Sequence, residues 1–179
     1  HGDVNGISYE LIIKLLAENR ICELCVPILY GSPKVAAYYR KVLNIENFSL
    51  NTIREPGEAN GKRSNIINCV DDNVKVDLGK ETPESDQAAM IALKYGLDQL
   101  DRNEIDVLML APHGPNTFFT EEAGSLMEYL GKRYNTTDIM SILVGEKIKM
   151  GFVTEQVKLR DVPHQITQKN IFKKLTLLD

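Results

Sequence analysis

Apolar residues recur at helical spacing from Tyr9 to Arg20. Leu11, Ile12, Leu15 and Leu16 share one face, and Glu10, Lys14, Glu18 and Arg20 lie largely off it. The pattern predicts an amphipathic helix with Ser8 as its N-cap. A short apolar run, Val26-Pro27-Ile28-Leu29-Tyr30, then ends at Gly31, and Ser32-Pro33 opens a second helix through about Leu43, with a cap followed by proline in the first turn. Strand, glycine turn and helix in that order are the grammar of α/β proteins. Asn51 to Ser64 carries prolines, glycines and charges and reads as a loop or an edge excursion. Asn65 to Val70 reads as a further strand. Asp71-Asp72-Asn73 lacks the alternating ligands of a calcium loop and reads as a solvated turn.

Thr82-Pro83-Glu84-Ser85 starts a long helix to about Asn103, its apolar positions supplied by Ala88, Ala89, Ile91, Ala92, Tyr95, Leu97 and Leu100. Ile105 to Ala111 is nearly all apolar, as a buried parallel strand is. It stops at Pro112. Loops at the carboxyl ends of such strands are where open α/β sheets bind ligands, so His113-Gly114-Pro115-Asn116 is the first place to look for chemistry. A helix is expected from Thr120 to about Tyr134. Ile139–Val144 and Lys147–Val153, separated by Gly145-Glu146, suit a hairpin or adjacent strands. Leu159 to Asp179 closes the chain with helical spacing, Pro163 falling early where a helix tolerates it.

Composition adds boundaries to this picture. The 179 residues are 43% hydrophobic and 26% charged, enough for a self-contained core and unlike a disordered chain. A formal net charge of −4 supplies no positive field for nucleic acid or an anionic membrane surface. No apolar run is long enough to span a bilayer. Cys22-Glu23-Leu24-Cys25 has the C-x-x-C spacing of redox and zinc sites, but no second ligand pair accompanies it. The expectation is buried, reduced thiols in a reducing, cytoplasmic compartment, with a redox-active interaction domain as the alternative. The chain opens on a glycine turn with no strand in front of it to turn from, so a leading strand is expected outside the sequence.

The three histidines, His1, His113 and His164, lie far apart, and no H-E-x-x-H, P-loop, G-x-S-x-G or complete G-x-G-x-x-G pattern occurs. Gly2-Asp3-Val4-Asn5-Gly6 leads into a helix whose amino end can accept an anion. This makes Gly2, Asp3, Asn5 and Gly6 candidate phosphate-binding residues. His113 is a candidate acid or base by its loop position.

Taken in order, the loops resemble one family, the 4-hydroxythreonine-4-phosphate dehydrogenases or PdxA family. Gly2-Asp3-Val4-Asn5-Gly6-Ile7-Ser8-Tyr9-Glu10 is similar to the opening G-D-x-x-G-I-G-x-E, with Ser8 in place of a glycine. Pro27 to Pro33 looks like the second strand and turn, and Ile105 to Pro112 like the strand before an A-P-I-N-K loop. Met150 to Thr154, with Leu159-Arg160-Asp161-Val162 and Gln165-Ile166-Thr167, resembles the surroundings of a T-x-H-L-P-L segment. The resemblance covers residues 1–179. It implies an isocitrate/isopropylmalate-dehydrogenase-like α/β/α sandwich, present as the N-terminal portion of a larger two-domain subunit. It further implies a homodimer, NAD, a divalent metal, a small phosphorylated substrate, and oxidation of 4-phosphohydroxy-L-threonine in pyridoxal phosphate (vitamin B6) biosynthesis.

The departures are specific. G-H-T-E aligns with Ser125-Leu126-Met127-Glu128, in which the glutamate alone is kept; the A-P-I-N-K lysine falls near Pro115; and the metal histidine of T-x-H aligns with Gln156. An amide oxygen is a far poorer ligand for a transition metal than imidazole. Glu128 is therefore the retained candidate beside His113. Two readings stay open: an active dehydrogenase, or a catalytically impaired paralogue that binds a phosphorylated ligand or a partner subunit.

Overall fold

Three parallel strands carry the first part of the molecule: β1 (Ile28–Gly31), β2 (Asn51–Ile53) and β3 (Asn65–Asn68), in the order β1-β3-β2. In the central strand Ile66 lies opposite Leu29 on one side and Thr52 on the other. Side chains alternate across a strand, so each face of this sheet makes its own core. Leu29 and Ile66 pack with Tyr9 and Ile13 of α1 (Ser8–Ala17) and with Val35, Ala36 and Tyr39 of α3 (Pro33–Val42). Tyr30, Ile53 and Ile67 pack with Ala88 and Ala92 of α4 (Pro83–Asp101). The result is an α/β/α arrangement. The single turn α2 (Ile21–Leu24) lies between α1 and β1 in the chain.

The computed structural model describes all residues except Asn19, Asp72, Pro115, residues 119–122, Glu155, Gln156 and Asp179. It divides into two units, His1–Thr120 and Glu121–Asp179. The second holds α5 (Leu126–Arg133), an antiparallel hairpin of β4 (Ile142–Val144) and β5 (Lys149–Gly151), α6 (Val162–Gln165) and α7 (Gln168–Thr176). Among the described residues no helix is long and apolar enough to cross a membrane.

The local signals of the sequence act as expected at several ends. Ser32 Oγ accepts the Val35 N–H at 3.3 Å and Thr82 Oγ1 accepts the Ser85 N–H at 3.3 Å, each cap followed by a proline at the helix start. Asp71 forms the expected turn, its side chain accepting the Asn73 N–H at 2.8 Å.

Four expectations are corrected. Ser8 does not cap α1: it is the first helical residue, Ile7 holds the cap position, and the Ser8 hydroxyl is drawn instead to the carbonyl of Pro112. Residues 105–111 form no strand, and Val107 and Met109 stand 77% and 78% exposed, because among the described residues no strand lies beside them to pair with. The helix expected from Thr120 starts at Leu126, where Ser125 accepts the Glu128 N–H at 3.2 Å; residues 119–122 lie outside the described ones. The paired thiols are not buried either. Cys22 is half-buried, while Cys25 is exposed, its thiol donating to the Ile21 carbonyl at 3.7 Å, because α2 ends there instead of running into the sheet.

Candidate functional site

At the carboxyl edge of the sheet the opening turn is held from several sides. Gly2 has φ +69°, and a Cβ there would sit 2.6 Å from the Pro112 carbonyl oxygen, so both conformation and space demand glycine. Asp3 Oδ1 accepts the Ser85 hydroxyl at 2.7 Å and the Asn5 N–H at 2.9 Å. Asn5 Oδ1 accepts the Asp77 N–H at 2.7 Å, and its amide donates to Thr82 Oγ1 at 3.2 Å. The Gly6 carbonyl accepts from Tyr39 Oη at 3.3 Å. The side chains of Asp3 and Asn5 are thus committed to joining this turn to the start of α4. The N–H groups of Asp3, Val4 and Asn5 are committed as well, to the Pro112 carbonyl, Ser85 Oγ and Asp3 Oδ1, so a ligand would meet the backbone after Asn5, where α1 begins.

Tyr9 is the hub beneath it. Its hydroxyl accepts the Ser32 N–H at 3.1 Å and shares a hydrogen with His1 Nδ1 at 2.7 Å. Tyr9 stacks on Tyr39, whose hydroxyl donates to the Val4 carbonyl at 2.6 Å. Burial pushes the Tyr9 hydroxyl well above the ordinary phenol range and that of Tyr39 up to about 12, so both act as neutral framework. Nearby, Cys69 is pushed up to about 11 by burial, which makes it an inert thiol at neutral pH. Neither tyrosine was singled out from the sequence, where each reads as one more apolar helical position.

The 112–118 loop is pinned in the same unit. Thr117 Oγ1 donates to Asp86 Oδ1 at 2.6 Å, and Asn116 donates to Glu81 Oε2 at 3.1 Å. His113 is exposed, its ring set edge-on to Phe118 at 4.3 Å between centroids. Pro115 lies outside the described residues.

The second unit contains a cleft of about 700 Å³. Met127, Glu128 and Lys132 of α5, Thr154 and Val157 beyond β5, and Lys174 of α7 line it. Two motif positions far apart in sequence, Met127 and Thr154, therefore share one cavity. Leu126 is half-buried at the start of α5, and Gln156 lies outside the described residues. Glu128 Oε2 accepts the Gly124 N–H at 3.0 Å, and Oε1 pairs with Lys132 at 2.9 Å. The Gly124 N–H first, then Lys132, hold its carboxyl below the usual carboxylate range. Glu128 is accordingly an ionised acceptor at neutral pH. Lys132 and Lys174 come from separate elements with no shared sequence spacing, and sequence reasoning missed them.

A model of the family described as "Pyridoxal phosphate biosynthetic protein PdxA" matches residues 23–179. The chain belongs to the PdxA family. It is 37% identical over 180 residues to the 4-hydroxythreonine-4-phosphate dehydrogenase of Bacteroides thetaiotaomicron, covering 98% of this chain and 49% of that protein. It is 28% identical over 182 residues to the enzyme of that name from Aquifex aeolicus, covering 99% of this chain and 54% of the relative. The fold is shared with the 4-hydroxythreonine-4-phosphate dehydrogenase structures from Klebsiella pneumoniae (TM-score 0.85, 21% identity, 99% of this chain and 56% of that one) and Burkholderia phymatum (TM-score 0.82, 18% identity, 98% and 54%). The chain spans about half the length of the PdxA relatives it matches.

The described residues do not by themselves make a site for the divalent metal that the PdxA resemblance implies: among them no three His, Cys, Asp or Glu side chains come together, and Gln156, at the position aligned with a metal histidine, lies outside them.

Proposed function

We propose that this chain is the ligand-binding half of a PdxA-type protein acting on a small phosphorylated substrate. The reaction is the oxidation of 4-phosphohydroxy-L-threonine in pyridoxal phosphate biosynthesis, carried out by a cytoplasmic homodimer. The observation that supports this most is the cleft joining Met127 and Glu128, from one PdxA motif, to Thr154, from another. NAD would accept the hydride from the hydroxyl-bearing carbon when bound. Within this chain, Glu128 orients a donor group of the ligand as an ionised acceptor, while Lys132 and Lys174 bring positive charge to the cleft. The opening turn adds backbone N–H groups at the start of α1.

A second reading is favoured by Leu126 and Met127, together with Gln156. These apolar and amide side chains stand at positions aligned with polar PdxA motif residues, and in this reading the protein binds the phosphorylated ligand or a partner subunit without turning the ligand over.

The test is made on the protein with all of its natural residues. NADH formation is followed with 4-phosphohydroxy-L-threonine and a divalent metal, and binding of the same compound is measured by calorimetry. Turnover supports the first reading, binding without turnover supports the second, and neither binding nor turnover overturns both.

A further inference from the structure

The turn that carries Cys22 and Cys25 has no part in the ligand-binding reading. α2 is a single helical turn, with Cys22 inside it and Cys25 as the residue that ends it. The Cys25 N–H closes that turn on the Ile21 carbonyl at 3.0 Å. Its thiol donates to the same carbonyl at 3.7 Å, so the sulfur is directed back along the turn. Residues three apart on a helix are neighbours, with Cβ atoms about 5–6 Å apart, whereas a disulfide holds its Cβ atoms at about 3.5–4.5 Å. Closing the difference of about 1–2 Å falls to Cys25, whose backbone has already left the helix (φ −156°, ψ 173°). No residue of α2 is buried and Leu24 stands 83% exposed, so that movement disturbs no core.

The third cysteine supplies the contrast. Burial pushes the Cys69 thiol up to about 11, which keeps it protonated at neutral pH and withholds its nucleophilic form. Cys25 is exposed and Cys22 half-buried. Among the described residues no third His, Cys, Asp or Glu joins the pair to make a metal site, which leaves the chemistry of two adjacent thiols.

We propose that Cys22 and Cys25 form a reversible thiol–disulfide site that exchanges with low-molecular-weight disulfides such as glutathione disulfide. Access sets the order of events. The exposed Cys25, as thiolate, attacks one sulfur of the external disulfide; that S–S bond breaks, and the released thiolate takes up the proton that Cys25 gave away. Cys22 then loses its proton and attacks Cys25 Sγ, expelling the second external thiolate, which takes up that proton. Two protein thiols are oxidised to one disulfide and one external disulfide is reduced to two thiols. In a reducing compartment such a bridge is transient and serves redox sensing.

The test treats the protein, with all of its natural residues, with glutathione disulfide at neutral pH, followed by alkylation, tryptic digestion and mass spectrometry. Both cysteines fall in one tryptic peptide, residues 21–34, and Cys69 in another, residues 64–75. The first peptide is expected lighter by two hydrogen atoms and closed to alkylation, reopening with dithiothreitol, while Cys69 carries no glutathione. Cys22→Ser should stop at glutathione held on Cys25. Cys25→Ser, left with the half-buried thiol, should react about tenfold more slowly, and in urea that preference should vanish. Free thiols at both positions, a mixed disulfide that persists on Cys25 in the parent protein, or a bridge between two chains overturns the proposal. Equal rates for the two serine variants in the folded protein overturn the order of attack.

Discussion

In the unit His1–Thr120, Tyr9, Ile13, Val35, Tyr39 and Ile66 are withdrawn from water by two helices and a sheet. In Glu121–Asp179 the hairpin residues Leu143 and Val144 and the α7 residue Phe172 are exposed, and among the described residues Ala123 alone is buried. The difference is one of means. The first unit is held by a core in which apolar area is removed from water on both sheet faces. The second is shaped by local devices: the caps Ser125 and Thr167, the hairpin closure from Gly145 N–H to the Ile148 carbonyl, and the surface pairs Lys132–Glu128 and Lys173–Asp138. Exposed ion pairs are each worth about 0–1 kcal/mol, and a lone two-stranded hairpin is marginal. Cooperative stability therefore resides in the first unit, and the cleft lies in the part with less of its own.

The largest effect that tests this contrast is at Ile66, 1% exposed in the central strand. Ile66→Ala should cost about 2–5 kcal/mol through lost transfer and an unfilled cavity, read as a lowered urea midpoint. Leu143→Ala in the hairpin should cost less than about 0.5 kcal/mol. Comparable losses at the two sites would break the comparison.

Alkaline pH should come next, acting on the first unit. Burial raises Cys69 from 9.0 to about 11 and Tyr39 from 10.0 to about 12. Both are acids held in the neutral form, so their contribution is complete below the unfolded values and is lost as pH rises through the folded ones. Stability should fall between pH 9 and 11 for Cys69 and between 10 and 12 for Tyr39. Denaturation midpoints with Tyr39→Phe, which removes one of these groups, should fall less steeply above pH 10.

How much of this was legible follows from the range of each interaction. Ser32, Thr82 and the hairpin were readable because cap, proline and turn act within a few residues. Ser8 was misplaced because its partner, the Pro112 carbonyl, is distant in sequence, and a cap signature cannot report such a bond. Asn65 shows the same limit. It reads as one polar residue opening an apolar strand, yet it is fully buried, its amide group accepting from Asn51 and Asn60 and donating to Pro27, Asn60 and Arg63. The 105–111 segment has the composition of a buried strand, but pairing belongs to a neighbour and cannot be read from its own residues. At the site, motif order located Met127 and Thr154 but not Lys132 or Lys174, which only the folding of separate elements brings to the cleft.

The smallest expected effect sharpens the contrast from the other side. Ser125→Ala removes the hydroxyl that accepts the Glu128 N–H and should weaken α5 by about 1 kcal/mol. Because α5 carries no fully buried residue, that loss has little core to propagate through. Amide exchange should quicken within Leu126–Arg133, while the global urea midpoint stays where it was. A matching fall in the global midpoint would show instead that α5 unfolds together with the first unit. The two halves would then be one cooperative body, and the cleft would share the stability of the sheet.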